Sequence, residues 1–577
     1  MTQELLKKLI DVAAGRYSPD LIIKNCTVVN VYTGNIEKQD IAICDGLIAG
    51  TGEYTGGPEI DADGAFALPG FIESHIHLES AFVTPEEMGR LVVPHGTTTI
   101  IADPHEIVNV CGLAGFHYMM DAAAETALDI KFMLPSCVPA TPFEHAGAVI
   151  DAAAMEQPIQ MEDVLGLGEF MDFPGIIHAC DSDLKKIMAA KNAGKLVDGH
   201  SPNISGTELN AYAAAGVHTD HECSTVTEMN DRIGRGMYVL LREGSACHNL
   251  RTLLKGVTPV NSRKCLLCSD DRQPKEILEK GHLNDHLRIC IAEGIDPVTA
   301  IQMATINAAE CFGLSDRGAI APGLRADIVL VNNLTDFAVK QVFIHGQLAA
   351  SDGKYMPEVR RRDITPVKGS VHVKDLSVKK LNLKSTSPHV HVIDIIEGGV
   401  VTAKGIADVQ LTAEGDFIYN QNEDIVKIVV AERHHNTGNI AVGLLRGYGI
   451  KTGAVAQTIA HDSHNIIAVG VDNNEILSAI EAVIAQQGGV ALVKDGQVVE
   501  RLPLPVGGIM SDQSGEWVAA KLERIHEIAF GEFKINKNVE PLMTLAFMAL
   551  PVIPDLKITD MGLFDVSRFQ FVTVAAE

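Results

Sequence analysis

The chain has 577 residues, 46% of them hydrophobic and 21% charged, with a formal net charge of −27. At about 100–200 residues per domain, that length predicts three or four units with sizeable cores. So acidic a balance argues against nucleic acid or an anionic membrane as the main partner, and no apolar run reaches the roughly 18 residues of a membrane span.

The first residues, MTQELLKKLIDVAAGRYSPD, are charged and polar, so a short helix is expected there rather than a secretory signal, and the cytoplasm is the expected compartment. Residues 20–66 follow with Val-, Ile- and Thr-rich runs separated by Gly and Asn, the pattern of β structure. A similar passage returns at 318–352, GAIAPGLRADIVLVNNLTDFAVKQVFIHGQLAA. The two are expected to pair into one small sandwich, built from residues 1–68 and 318–360.

Between them, residues 69–317 repeat a rhythm of short apolar strand, polar end and helical stretch. The strand candidates are FALPGFIESHIHLE, TTTIIADPHE, DIKFMLPSCVPA, VLGLGEF, KLVDGHSP, VHTDHE, MYVLLREGS and KCLLCSDD. Eight such units imply a parallel sheet closed as a TIM-type barrel, with the site at the C-terminal strand ends. Residues 353–375, with the basic run Arg360, Arg361 and Arg362, read as a linker. Residues 376–577 read as a separate C-terminal α/β domain, with strands DIVKIVVAE and NIIAVGV and a helix at about 474–487. The predicted fold class is therefore α/β: a (β/α)8 barrel, a flanking β-sandwich and a C-terminal α/β domain.

All 11 cysteines lie at or before Cys311, unlike a disulfide scaffold. Cys265 and Cys268 form a C-x-x-C without a second pair at zinc spacing, and read as two thiols of an apolar strand.

The first barrel strand ends in FIESHIHLES. Period-two geometry puts His75 and His77 on one face, toward the interior, where neutral imidazoles suit Mn, Fe or Zn. Further ligand types close other strands: Glu169 the fourth, His200 the fifth, His221 the sixth and Asp270 the eighth. Together they are enough for two metal ions.

This arrangement resembles the amidohydrolase superfamily over roughly residues 20–352. Many members bridge their metals with a carbamylated Lys on the fourth strand. Here no Lys lies between Met161 and Cys180, and Glu169 stands in that place, which disfavours the hydantoinase-like branches. The motifs PHGTTTIIADPHEIVNV, LGLGEFMD, DGHSPNISG, TDHE, LREGSA, CSDDRQP and AHDSHN are similar to those of the adenine deaminase family across nearly the whole chain. The resemblance implies a binuclear Mn(II) or Fe(II) site and attack of metal-activated hydroxide on C6 of adenine, giving hypoxanthine and ammonia. Two other readings stay open: another cyclic amidine or amide hydrolase, such as a cytosine or guanine deaminase, and a non-catalytic barrel scaffold.

For that reaction Asp270 is the expected base, taking a proton from water and passing it to the leaving ammonia. Asp271 is the alternative. Glu169 is either the bridging ligand or the acid that protonates ring N1. Asp103 and His105 support the ligands, relay protons or touch a metal, unless Asp103 only caps an Asp-Pro turn. Arg242 and Ser245 are candidates for purine nitrogens, with a structural salt bridge the alternative for Arg242. Glu222 and Cys223 stay unassigned. In the C-terminal region, AERHHNTGN holds Glu432, His434 and His435, and AHDSHN holds His461, Asp462 and His464. We expect AHDSHN to reach over the barrel mouth and exclude water; a stabilising or dimerising domain is the alternative. The expected partner is adenine, with no nucleic acid and no membrane, and enzymes of this size are commonly homo-oligomers.

Overall fold

A computed structural model describes residues 2–576. The eight apolar runs of the central region are strands, at Phe71–Ile76, Thr97–Ala102, Asp129–Leu134, Val164–Phe170, Leu196–Gly199, Thr219–Asp220, Tyr238–Arg242 and Cys265–Cys268. They pair in parallel in sequence order, the first five in one arc and the last three in another. Backbone hydrogen bonds join the arcs at both ends. His218 N donates to Val197 O (2.9 Å), Asp270 N to His75 O (2.9 Å) and His77 N to Asp270 O (2.8 Å). Every residue of Phe71–Ile76 and Thr97–Ala102 is buried. Strands covered on both faces read as continuous apolar runs, and polar side chains cluster where the chain leaves the sheet.

Helices cover the outside of the arcs. Local chemistry sets their starts, as at Val226–Ile233, where Thr225 and Glu228 form a reciprocal capping box.

The first strand candidate is two strands, Phe66–Pro69 and Phe71–Ile76, which belong to different sheets. The break falls at Gly70, where a Cβ would lie 2.1 Å from Thr98 Oγ1, so the chain crosses between sheets at a point with no room for a side chain. Phe66–Pro69 pairs with Leu21–Val29 on one side and Ile328–Val331 on the other. It thereby joins the two distant β segments into one nine-stranded sheet rather than two separate ones. That sheet curls back on itself, with Ile48 N donating to Leu324 O and Ala326 N to Gly46 O. It encloses Ile23, Ile41, Ile43, Leu330 and Phe343.

Residues 353–375, expected as a linker, lie against the central region. Arg361 pairs with Glu87 (2.6 Å) and Arg362 with Asp121 (2.8 Å), while Val367 and Val371 are buried. Beyond them stands an eight-stranded, mostly antiparallel sheet that includes Ile425–Ala431, Ala454–Gln457 and Ile466–Gly470. The helix Asn473–Ala485 seats Ile476, Ala479, Ile480 and Val483 against it. Asp472 caps that helix through the N–H groups of Asn474 and Glu475. A three-stranded sheet, Leu556–Thr559, Gly562–Asp565 and Gln570–Val572, completes the chain's strands. Among the described residues no helix is long and apolar enough to cross a membrane, and Cys265 and Cys268 are free, buried thiols.

Candidate active site

The strand ends of the two arcs carry a buried cluster of imidazoles and carboxylates. His77 Nδ1 donates to the backbone carbonyl of Asp103 at 2.8 Å. A carbonyl only accepts, so in the neutral ring the Nε2 lone pair faces the other way. There it meets Asp270 Oδ1 at 3.1 Å and Glu169 Oε1 at 3.4 Å. His75 is set in the same manner: Nδ1 lies 3.0 Å from Asp198 Oδ2, and Nε2, buried without a hydrogen-bond partner, lies 3.6 Å from Asp270 Oδ1. A lone pair aimed at a carboxylate is repulsive unless a cation stands between them.

Glu169 closes the strand Val164–Phe170. Its N–H donates to Asp103 Oδ2 at 2.8 Å, and at the preceding Gly168 a Cβ would come within 2.3 Å of that same oxygen. The carboxylate so placed faces four rings. Oε2 is 2.8 Å from His200 Nδ1 and 3.1 Å from His221 Nε2, while Oε1 is 3.4 Å from both His77 Nε2 and His105 Nδ1. Asp270 follows the eighth strand with φ +64, a left-handed conformation that Asp tolerates better than most residues. Its Oδ2 accepts from Arg242 Nη1 at 2.8 Å, and the same guanidinium nitrogen holds Glu222 Oε1.

Burial alone would push both central carboxyls up. The imidazoles around Glu169 outweigh it and hold that group well below the usual range. Arg242, His75 and His77 do the same for Asp270. Burial would likewise lower the histidines, yet the facing carboxylates push His75 up to about 10 and His200 up to about 9. The centre therefore favours positive charge, supplied by protons on the rings or by metal ions. Among the groups of three donors whose ligand atoms lie within 4.8 Å of one another, these four stand at the centre: His75–His77–Asp270, His75–Glu169–His221, His77–His105–Glu169 and His200–His221–Glu222; Glu106–His461–His464 forms another behind it. Nitrogen and carboxylate donors without thiolate suit divalent Mn, Fe or Zn.

The six residues read as ligands are thus brought together, and Asp103 and His105 stand beside them. Arg242 is engaged with Glu222 and Asp270 in a salt bridge at the rim of the centre. Ser245 lies beside the start of a later helix. Its hydroxyl donates to Glu276 and accepts from Gln273 N (2.9 Å), so it secures the start of the helix Pro274–Lys280. Asp271 is buried beside Asp270 but joins none of the four donor groups. Burial, then the neighbouring Asp270 charge, pushes it up to about 7.

The AHDSHN turn reaches this centre from the C-terminal sheet. Asp462 Oδ1 lies 3.7 Å from His105 Nε2. His464 stands one layer behind, with Nε2 3.5 Å from Glu106 Oε2 and Nδ1 accepting from Ala460 N. The strands beside the two histidine-rich clusters pair antiparallel, Ala431 opposite Ile466, which puts both clusters at one sheet edge. His434 Nε2 lies 2.7 Å from Ser463 O.

Two contributors had a signal that went unused. Glu222 directly follows His221, and Asp198 precedes His200 by two residues, on the same face of its strand. Glu106, within the A-D-P-H-E run, lies near His461 and His464 of the C-terminal turn, a long-range meeting with no local mark.

A parallel α/β scaffold whose strand ends gather imidazoles and carboxylates around one cationic centre defines an amidohydrolase, and the Amidohydrolase family model matches residues 66–349. A second model, Adenine deaminase C-terminal domain, matches residues 399–570. Adenine deaminase 2 of Desulfotalea psychrophila is 62% identical to this chain, with all of both chains covered. The adenine deaminases of Ligilactobacillus salivarius and Nitratidesulfovibrio vulgaris are 50% and 48% identical, with 99% of each chain covered. The chain belongs to the adenine deaminase family.

Proposed function

We propose that this chain hydrolyses adenine to hypoxanthine and ammonia, at the mouth of a closed (β/α)8 barrel. The hydrogen bonds at both seams of the two arcs support closure, and the full-length relatives named adenine deaminase support the substrate. One observation carries the chemistry: His77, oriented by the Asp103 carbonyl, aims its Nε2 at Asp270 and Glu169.

In this reading His75, His77, Glu169, His200, His221 and Asp270 would hold two divalent cations, Mn(II) or Fe(II). When bound, such cations acidify water toward a pKa of about 7 and so supply a nucleophile at neutral pH. Asp270, kept ionised and aimed by Arg242, takes the proton of the attacking water and delivers it to the departing amine. Glu169, held ionised among four imidazoles, fits a shared ligand better than an acid for ring N1. Asp198 and Asp103 fix the ring orientations of His75 and His77 from behind.

Ammonia release tests the reading directly. Protein loaded with Mn(II) or Fe(II) should convert adenine to equal amounts of hypoxanthine and ammonia, far faster than it attacks cytosine or guanine. Chelation should abolish the activity, and added Mn(II) should restore it. Loaded protein that leaves adenine intact rejects the proposal.

The AHDSHN turn closes the mouth in this scheme, Asp462 lying against His105. Changing Asp462 and His464 together to Ala should lower kcat about 10–100-fold, the usual effect of losing groups that orient a metal site. Unchanged turnover in a folded double variant would leave the C-terminal domain a purely stabilising part.

A further inference from the structure

The AERHHNTGN cluster supplies no group to the centre, yet its arginine grips the turn that reaches it. Arg433 follows the strand Ile425–Ala431 and is wholly buried. Its guanidinium fans out over main-chain carbonyls of three other segments. Nε donates to His464 O of the AHDSHN turn, and both Nη atoms donate to Gly507 O at 3.2 Å. Nη1 also donates to Ser370 O (3.3 Å) and Ser370 Oγ (3.1 Å) in the stretch 353–375. At Gly508 a Cβ would lie 2.6 Å from Nη1, so the main chain there packs directly on the guanidinium.

The segments joined in this way bear on the centre. The turn closes on itself, with His464 N donating to Ala460 O at 2.7 Å, and it carries Asp462, 3.7 Å from His105. Ser511 N, just past Gly507, donates to Phe82 O at 2.8 Å, on the central region a few residues after His77. The same cluster adds two more holds on the turn. Arg433 N donates to Asn465 Oδ1 at 3.2 Å, and His434 Nε2 donates to Ser463 O at 2.7 Å.

Among the described residues no carboxylate pairs with this guanidinium. Glu432, its chain neighbour, turns its carboxylate to the N–H groups of His434, His435 and Thr437 instead. A charge buried without a counter-ion is costly, so packing alone does not account for an arginine here. An apolar side chain could fill the space but could not aim donors at three segments at once. Lysine, a point charge on a flexible stem, lacks the planar fork that does so. We propose that Arg433 is a positioning residue for the reaction: it sets the AHDSHN turn over the centre by the His464 carbonyl and acts on turnover through that turn. This rests on the reading of the turn as the cover of the mouth.

The test is a mutant cycle on the metal-loaded full chain, with kcat, KM, metal content and Tm measured on adenine. Arg433→Met keeps a side chain of similar reach and removes every donor. It should lower kcat at least about tenfold, leave KM within about threefold and retain its metal. Added to the Asp462 and His464 double Ala variant, the same change should cost no more than about a further twofold, because the turn it acts through is already disabled. Effects of independent sites multiply, and a merely stabilising arginine would show that behaviour. An Arg433→Met enzyme with kcat within about threefold of wild type overturns the assignment. So does a loss that repeats in full in the double Ala background, or one that follows lost metal. If Arg433→Met fails to fold, Arg433→Lys, which keeps the charge without the fork, enters the cycle under the same criteria. A double Ala variant with wild-type kcat refutes the cover itself, and this assignment with it.

Discussion

Asp270→Asn is expected to lower kcat about 10²–10⁴-fold, the range that a positioned proton-transfer group contributes. The substitution keeps size and shape. The left-handed backbone at residue 270 remains acceptable, because Asn is enriched there as Asp is. The backbone clamp also survives, since it uses main-chain atoms: Asp270 N to His75 O and His77 N to Asp270 O. What disappears is the charge that faces His75 and His77 and pairs with Arg242 at 2.8 Å, and with it the ability to accept a proton. The loss should therefore appear in kcat more than in KM, provided metal content is matched by reloading. An Asn variant with full metal and kcat within tenfold of wild type would remove Asp270 from the role of base. The parallel Asp271→Asn change should cost less, because Asp271 lies outside the four donor groups.

The strands of the two parallel arcs were legible because parallel strands are covered on both faces. Runs such as TTTIIA and VLGLGEF are rich in β-branched and aliphatic residues, and the charged residues that appear at or just past their C-terminal ends lie at the rim. The same reasoning finds His75, His77, Glu169, His200, His221 and Asp270 without any long-range information. It does not find the change of sheet at Gly70, because FALPGFI is apolar on both sides of the break and only the approach of Thr98 demands a glycine there. Nor does it find Glu106, a glutamate in an ordinary local setting that meets His461 and His464 from a segment more than 300 residues away. The contacts of Ser245 are equally hidden: its place at a strand end gives no sign that its hydroxyl bonds Glu276 and Gln273 at the start of the helix Pro274–Lys280.

Glu169→Gln should be still more damaging, because it strikes both halves of the centre at once. One oxygen of Glu169 faces His77 and His105, the other His200 and His221. Gln cannot serve both pairs: its amide nitrogen carries only donors, and the side chain is neutral. The backbone would hold its position regardless, since Glu169 N donates to Asp103 Oδ2 and Ser136 Oγ donates to Glu169 O at 2.6 Å. The fold should therefore survive while the cations do not. We expect the variant to keep its melting temperature in the metal-free state, to retain at least one metal equivalent less than wild type after desalting, and to lose more than about 10²-fold in kcat/KM. That bound is conservative, because losing a group that merely orients a ligand already costs about 10–100-fold. Excess Mn(II) should recover only part of the activity, whereas it should restore a chelated wild type fully. If Glu169→Gln binds as much metal as wild type and loses only kcat, the carboxylate is not a shared ligand, and its role as proton donor to the purine ring becomes the better account.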